Sequence, residues 1–66
     1  MNMIPKFKEG DAVVVRNLRS PYKGSVGVVK GNPFKERNGF SCIVEFEWEG
    51  QARLNSFVEH ELERVK

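Results

Sequence analysis

Among the 66 residues there is a single cysteine, Cys42, and a single histidine, His60. One thiol excludes an internal disulfide, and one thiol with one imidazole excludes a Cys/His metal set of the zinc-finger kind, so a reducing compartment is expected and no metal or cofactor is. The chain has no run near the roughly 20 apolar residues of a membrane span. Its start, "MNMIPKFKEG", lacks the apolar stretch of a signal peptide and a glycine at position 2 for myristoylation. These absences predict a cytoplasmic protein with no membrane partner. Repeats, linkers and low-complexity tracts are missing too. So is any Ser/His/Asp or Cys/His arrangement or phosphate-cradling glycine loop, which argues against an enzyme.

What is present suits one small folded domain. A chain this short hides only about 60% of the surface its unfolded form exposes, so the core must be small. With 39% hydrophobic and 30% charged residues, the composition is that of a globular chain rather than a disordered one. The formal charge of +2 conceals an asymmetry. Residues 1 to 40 carry eight Lys or Arg against three acids, a net of +5, whereas residues 41 to 66 carry three against six, a net of −3. A molecule charged in this way meets a charged partner in a preferred orientation.

Short β-branched and alternating runs dominate the pattern. "DAVVVR" (11–16) and "SVGVVKG" (25–31) read as strands, and the glycine inside the second marks a bulge, a bend or a close backbone approach. "FSCIVEFEW" (40–48) places Phe40, Cys42, Val44, Phe46 and Trp48 on one face at period two, with Ser41, Glu45, Glu47 and Glu49 on the other. "EG" at 49–50 signals a tight turn into "QARLNSF", whose Ala52 and Leu54 would form an apolar face and whose Arg53 would lie across from the glutamates. The tail "VEHELERVK" suggests one turn of 3₁₀ helix and a closing strand. "GNPFKERNGF" (31–40) reads as a long loop. The expectation is all-β: five short antiparallel strands in a small barrel spanning 9–66, preceded by an extension, 1–8. Its expected core is Val13, Val15, Val29, Cys42, Val44, Phe46, Leu54 and Leu62.

"EGDAVVVRNLRSPYKGSVGVV" resembles the KOW motif, through Gly10, Asp11, Val13 and Val15 and then Pro21, Tyr22, Lys23, Gly24, Gly27 and Val29, about a third of the chain. The glycine that often precedes the proline is Ser20 here, and the 31–39 segment is longer than in the simplest members. KOW segments form part of Src-homology-3-like barrels. Their known members include transcription elongation factors and a large-subunit ribosomal protein, so the resemblance implies a partner among RNA, ribonucleoprotein or the transcription machinery.

Two surfaces compete for a partner. Arg16, Arg19, Tyr22 and Lys23 of one loop, with Phe34, Lys35 and Arg37 of the other, combine phosphate-binding cations with aromatic faces, which suits single-stranded nucleic acid. The bland reading of "SPYKGSVG" is structural: Pro21, Gly24 and Gly27 shape the turn while Tyr22 lies over the barrel. Glu45, Glu47 and Glu49, with Trp48 beside them, form either a solvated face or a site for a basic partner protein. They share one exposed face with no histidine or apolar pocket to separate their pKa values, so they make no acid/base pair. Trp48 is expected to pack on the core rim, Phe34 to tuck back onto the barrel, Cys42 to be a small buried hydrophobe, and His60 to cap or hydrogen-bond locally. The reading is a non-enzymatic binding module for RNA or a nucleic-acid machine, monomeric in isolation, with a protein-interaction module as the alternative.

Overall fold

The computed structural model describes residues 4–65, and the chain is all-β within them. The strands are β1 (Ala12–Val15), β2 (Val26–Glu36), β3 (Gly39–Trp48), β4 (Gln51–Val58) and β5 (Leu62–Arg64), with a 3₁₀ turn at Glu59–Glu61 before the last. All pairings are antiparallel, in the order β4-β3-β2-β1-β5. Val13, Val29, Val44, Phe57 and Leu62, one from each strand, meet in a single core, which a single sheet achieves only by curling around it. Among the described residues no ladder joins β4 to β5, so the barrel is not closed by hydrogen bonds.

The segment read as a loop from 31 to 40 is mostly strand. β2 runs on to Glu36, and the β2–β3 hairpin turns at Arg37 and Asn38, with Glu36 opposite Gly39. The loop-forming residues Gly31, Asn32 and Pro33 are absorbed as an irregularity, because Lys30 pairs with Ile43 and the next partners are Phe34 and Ser41. Three β2 residues therefore face Cys42 alone. A bulge is one of the few strand positions that tolerates proline, which cannot donate to the ladder.

The turn after β3 decides which side chains enter the core. Glu49 and Gly50 have φ of 52° and 80°, the left-handed pair that a two-residue hairpin turn demands, and Trp48 faces Gln51. From there Phe46 faces Arg53, Glu45 faces Leu54 and Cys42 faces Phe57. The inward positions of β4 are thus Arg53, Asn55 and Phe57, not Ala52 and Leu54. Leu54, expected in the core, is 61% exposed beside Glu45, and Arg53 leaves the glutamate face for the side of Phe46. A shift of one residue moves every side chain to the other face of a strand.

Seven of the eight expected core residues are buried. Phe57, Val14 and Phe7 join them, the last from the segment taken as an N-terminal extension. Phe7 is fixed by bonds on both sides. The Lys6 amide donates to Glu59 Oε2 at 2.8 Å, while the Lys8 amide and Nζ donate to the Asp11 carboxylate at 3.0 Å each. Arg64 donates to Asp11 Oδ2 at 3.1 Å and to the Lys6 carbonyl at 3.0 Å, tying the start of the chain to β5.

Gly27, read as a bulge, a bend or a close approach, is a close approach. A methyl group at its Cα would collide with the Glu45 carbonyl oxygen and come within 2.7 Å of Val44 Cγ1 and 2.9 Å of Phe46 Cβ. Gly27→Ala should therefore destabilise the fold by about 2–3 kcal/mol, in the range of core overpacking. A calorimetric melt should show Tm lowered by roughly 10–20 °C.

The Asp11 carboxyl is held at about 2 by the Lys8 amide, the Lys8 ammonium and Arg64, in that order of weight. Its folded value lies below its unfolded one near 3.9, so its contribution is complete above about pH 4 and is lost as pH falls toward 2. Asp11→Asn should lower Tm at neutral pH, and the gap from the parent should close between about pH 4 and 2 in melts run across that range.

Candidate nucleic-acid interface

The 16–25 loop is a chain of turns, not an open excursion. The Val15 amide donates to the Ser25 carbonyl and the Gly24 amide to the Val15 carbonyl, closing its base at 3.0 and 2.8 Å. Inside, Ser20 donates to Asn17, Lys23 to Ser20 and Ser25 to Tyr22 through main-chain groups. Two short side chains add the bonds that favour Asn and Ser in turns: Asn17 Oδ1 accepts from the Arg19 amide and Ser20 Oγ from the Tyr22 amide. Asn17 Nδ2 also donates to Glu61 Oε2 at 2.6 Å, anchoring the loop to the 3₁₀ turn. Leu18 and Arg19 are consequently presented on a braced tip, with Leu18 80% exposed.

That anchor brings the two basic segments to either side of His60. On one side Arg16, Leu18 and Arg19 line a groove of about 370 Å³ with His60 and Glu61. On the other, Arg37, Phe40 and Val58 line a smaller cleft of about 160 Å³ that His60 also borders. Lys35 lies across from Phe40 in the ladder and places its ammonium 5.7 Å from the ring centroid. The result is an edge of Arg16, Arg19, His60, Arg37 and Lys35 around a half-buried phenylalanine. The imidazole, expected to hydrogen-bond locally, is exposed and makes no hydrogen bond among the described residues.

The edge also carries four acids, of which, among the described residues, only Glu63 is ion-paired, to Arg16. Glu59 accepts from the Lys6 amide, Glu61 from the Val58 amide and Asn17, Glu36 from Ser41, and Glu63 pairs with Arg16 at 2.7 Å. Each acid near the edge is thus engaged by a donor of the fold. Among the described residues no carboxylate lies within ion-pair distance of Arg19, Lys23 or Arg37.

The other candidates fall elsewhere. Tyr22 turns inward: its ring meets Trp48 edge-on at 4.9 Å, Phe46 at 5.0 Å and Phe57 at 6.4 Å. The Arg53 guanidinium lies 5.8 Å from the Tyr22 centroid, so the arginine misplaced by the register of β4 finds its partner here. Trp48 packs on the core rim as its position in the alternation suggests. Lys23 sits exposed in the same loop as Arg19. Phe34 does not tuck back: it is 38% exposed, opposite Ser41, and strand alternation points it away from the face of Lys35 and Phe40. Glu45, Glu47 and Glu49 lie away from His60, along β3 and its turn.

Cys42 is fully buried opposite Phe57, and burial, with lesser help from Glu59 and Asp11, pushes its thiol up. Since the thiolate is the reactive form, its chemistry is suppressed.

Phe40, Leu18 and His60 were not legible as site residues. Phe40 looks like the first core position of an alternating strand, and the meeting of 16–19 with 36–40 at His60 is long-range. The Asn17–Glu61 bond, the Arg16 amide donating to the Glu61 carbonyl at 2.8 Å and the long β2–β3 hairpin create it.

Tyr22→Ala should cost about 2 kcal/mol or more in chemical denaturation, because it removes an aromatic packed on three others. Arg19→Ala, on an exposed turn, should stay within about 0.5 kcal/mol of the parent. No protein-family model, curated protein or solved structure matches the chain, so its function is argued from this geometry.

Proposed function

We propose that the chain is a non-enzymatic binding module that contacts nucleic acid, single-stranded RNA above all, through the basic edge around His60. The observation that carries this reading is the charge arrangement just described: Arg19, Lys23 and Arg37 stand without a carboxylate partner among the described residues, while the acids beside them are engaged by donors of the fold. Guanidinium and ammonium groups of this kind hold phosphate oxygens, which set the position of a strand without reading its sequence. Phe40 and His60 offer ring surfaces between the cations, where an unstacked base can lie. The braced Asn17–Lys23 loop presents Arg19 with little further ordering to do on binding.

The KOW resemblance of residues 10–29 points the same way, toward RNA, ribonucleoprotein or the transcription machinery as the setting. Tyr22 enters this reading as the buttress of the loop, with Arg19, Lys23, Lys35 and Arg37 making the contacts.

Neutralising three or four phosphates of a single strand gives a slope of log affinity against log salt of about −2 to −3. Fluorescence-anisotropy titrations of short single-stranded RNA and DNA should therefore show affinity falling about 20–50-fold between 50 and 200 mM salt. The combined Arg19→Ala, Lys23→Ala, Lys35→Ala and Arg37→Ala variant should lose this binding while keeping its melting temperature. An absence of binding at low salt, or binding that the variant retains, contradicts the proposal.

A further inference from the structure

The outer face of the sheet carries a second feature that the basic edge does not use. The register lines up Ala12, Val28, Glu45 and Leu54 across β1, β2, β3 and β4 on the outer face. Glu47 and Ala52 form the adjacent row with Val26, whose β2 neighbour Gly27 faces Phe46. Outer positions of a half-buried antiparallel sheet are ordinarily polar. Here Val26 is 57%, Val28 42% and Leu54 61% exposed, three large apolar side chains gathered on one patch. Small alanines at 12 and 52 leave the surface concave, and a groove of about 420 Å³ runs between Val26, Val28, Glu47 and Ala52.

We infer that this groove docks a segment of a partner protein that combines apolar side chains with lysine or arginine. The occupant is identified by charge complementarity. Among the described residues, the charged side chains lining the groove are Glu45 and Glu47, both acidic. Glu45 shares a half-exposed pair with Lys30 at 3.4 Å, an arrangement that contributes little and exchanges easily. Glu47 has no ion-pair or hydrogen-bond partner among the described residues. An aliphatic side chain of the partner fills the space above the alanines, and an adjacent cation reaches Glu47. Nucleic acid is disfavoured in this groove, since its phosphates would meet two carboxylates and, among the described residues, no unpaired cation in the lining. The apolar area gives affinity, and the glutamates select the partner and its orientation. The inference stands apart from the nucleic-acid reading and uses none of its residues.

The test is an amide-shift titration of ¹⁵N-labelled protein with two ten-residue peptides, one alternating valine and lysine, the other valine and glutamate. The lysine peptide should shift the amides of Val26, Val28, Glu47 and Leu54, with the glutamate peptide at least about tenfold weaker, a difference of about 1.4 kcal/mol. Leu54→Asp and Glu47→Lys, both at exposed strand positions, should each abolish the shifts while leaving RNA binding intact. Equal affinity for the two peptides, no shifts on this patch, or shifts that survive both substitutions would overturn the inference. So would a concentration-dependent dimer that buries the same amides without peptide, since the occupant is then a second copy.

Discussion

The two-residue turn at Glu49–Gly50 is the constraint on which the rest of the molecule hangs. Because it sets Trp48 opposite Gln51, it determines for the whole of β4 which side chains face the core. Phe57 is brought in against Phe46 and Cys42, Arg53 comes to rest over Tyr22, and Leu54 is sent outward beside Glu45. A turn one residue longer would reverse all of these. Leu54 would then enter the core, the outer apolar patch would lose a third of its large side chains, and Tyr22 would lose the cation above its ring.

Much of this architecture was legible in the chain because it rests on local rules. The alternation from Phe40 to Trp48, broken only at Ile43, the β-branched runs at 12–15 and 26–30, and the glycine at the 49–50 turn each specify their element with their own neighbours. The failures are instructive in the same terms. Gly31, Asn32 and Pro33 carry every sign of a loop, and a ladder resuming at Phe34 absorbed them as a bulge. The side of β4 depends on turn length, and "QARLNSF" has apolar residues on both of its faces, so hydrophobicity pointed to Ala52 and Leu54 while turn geometry chose Arg53 and Phe57. Phe7 is held in the core by bonds that its neighbour Lys6 makes to Glu59 and Arg64, more than 50 positions away, which no local pattern could announce.

The candidate site was legible as a list of residues but not as a surface. Arg16, Arg19, Lys35 and Arg37 were identified by type, and the fold then brought them together at the 3₁₀ turn. Asn17 holds its own loop and reaches Glu61, so the 3₁₀ turn becomes the bridge between two segments far apart in the chain. Tyr22 was drawn out of the surface by the aromatic cluster, while His60 and Phe40 were drawn into it. In space the cations of the first half gather around His60 among Glu36, Glu59, Glu61 and Glu63, while Glu45 and Glu47 lie with aliphatic side chains on the outer face of the sheet.

The central claim is that the edge around His60 is the surface that meets single-stranded nucleic acid. An amide-shift titration with a short single-stranded RNA at low salt tests it most directly. The account predicts shifts concentrated at Leu18, Arg19, Arg37, Phe40 and His60, with Val28 and Leu54 unmoved. Shifts confined to the outer face of β2–β4, or none at any RNA concentration, would contradict it.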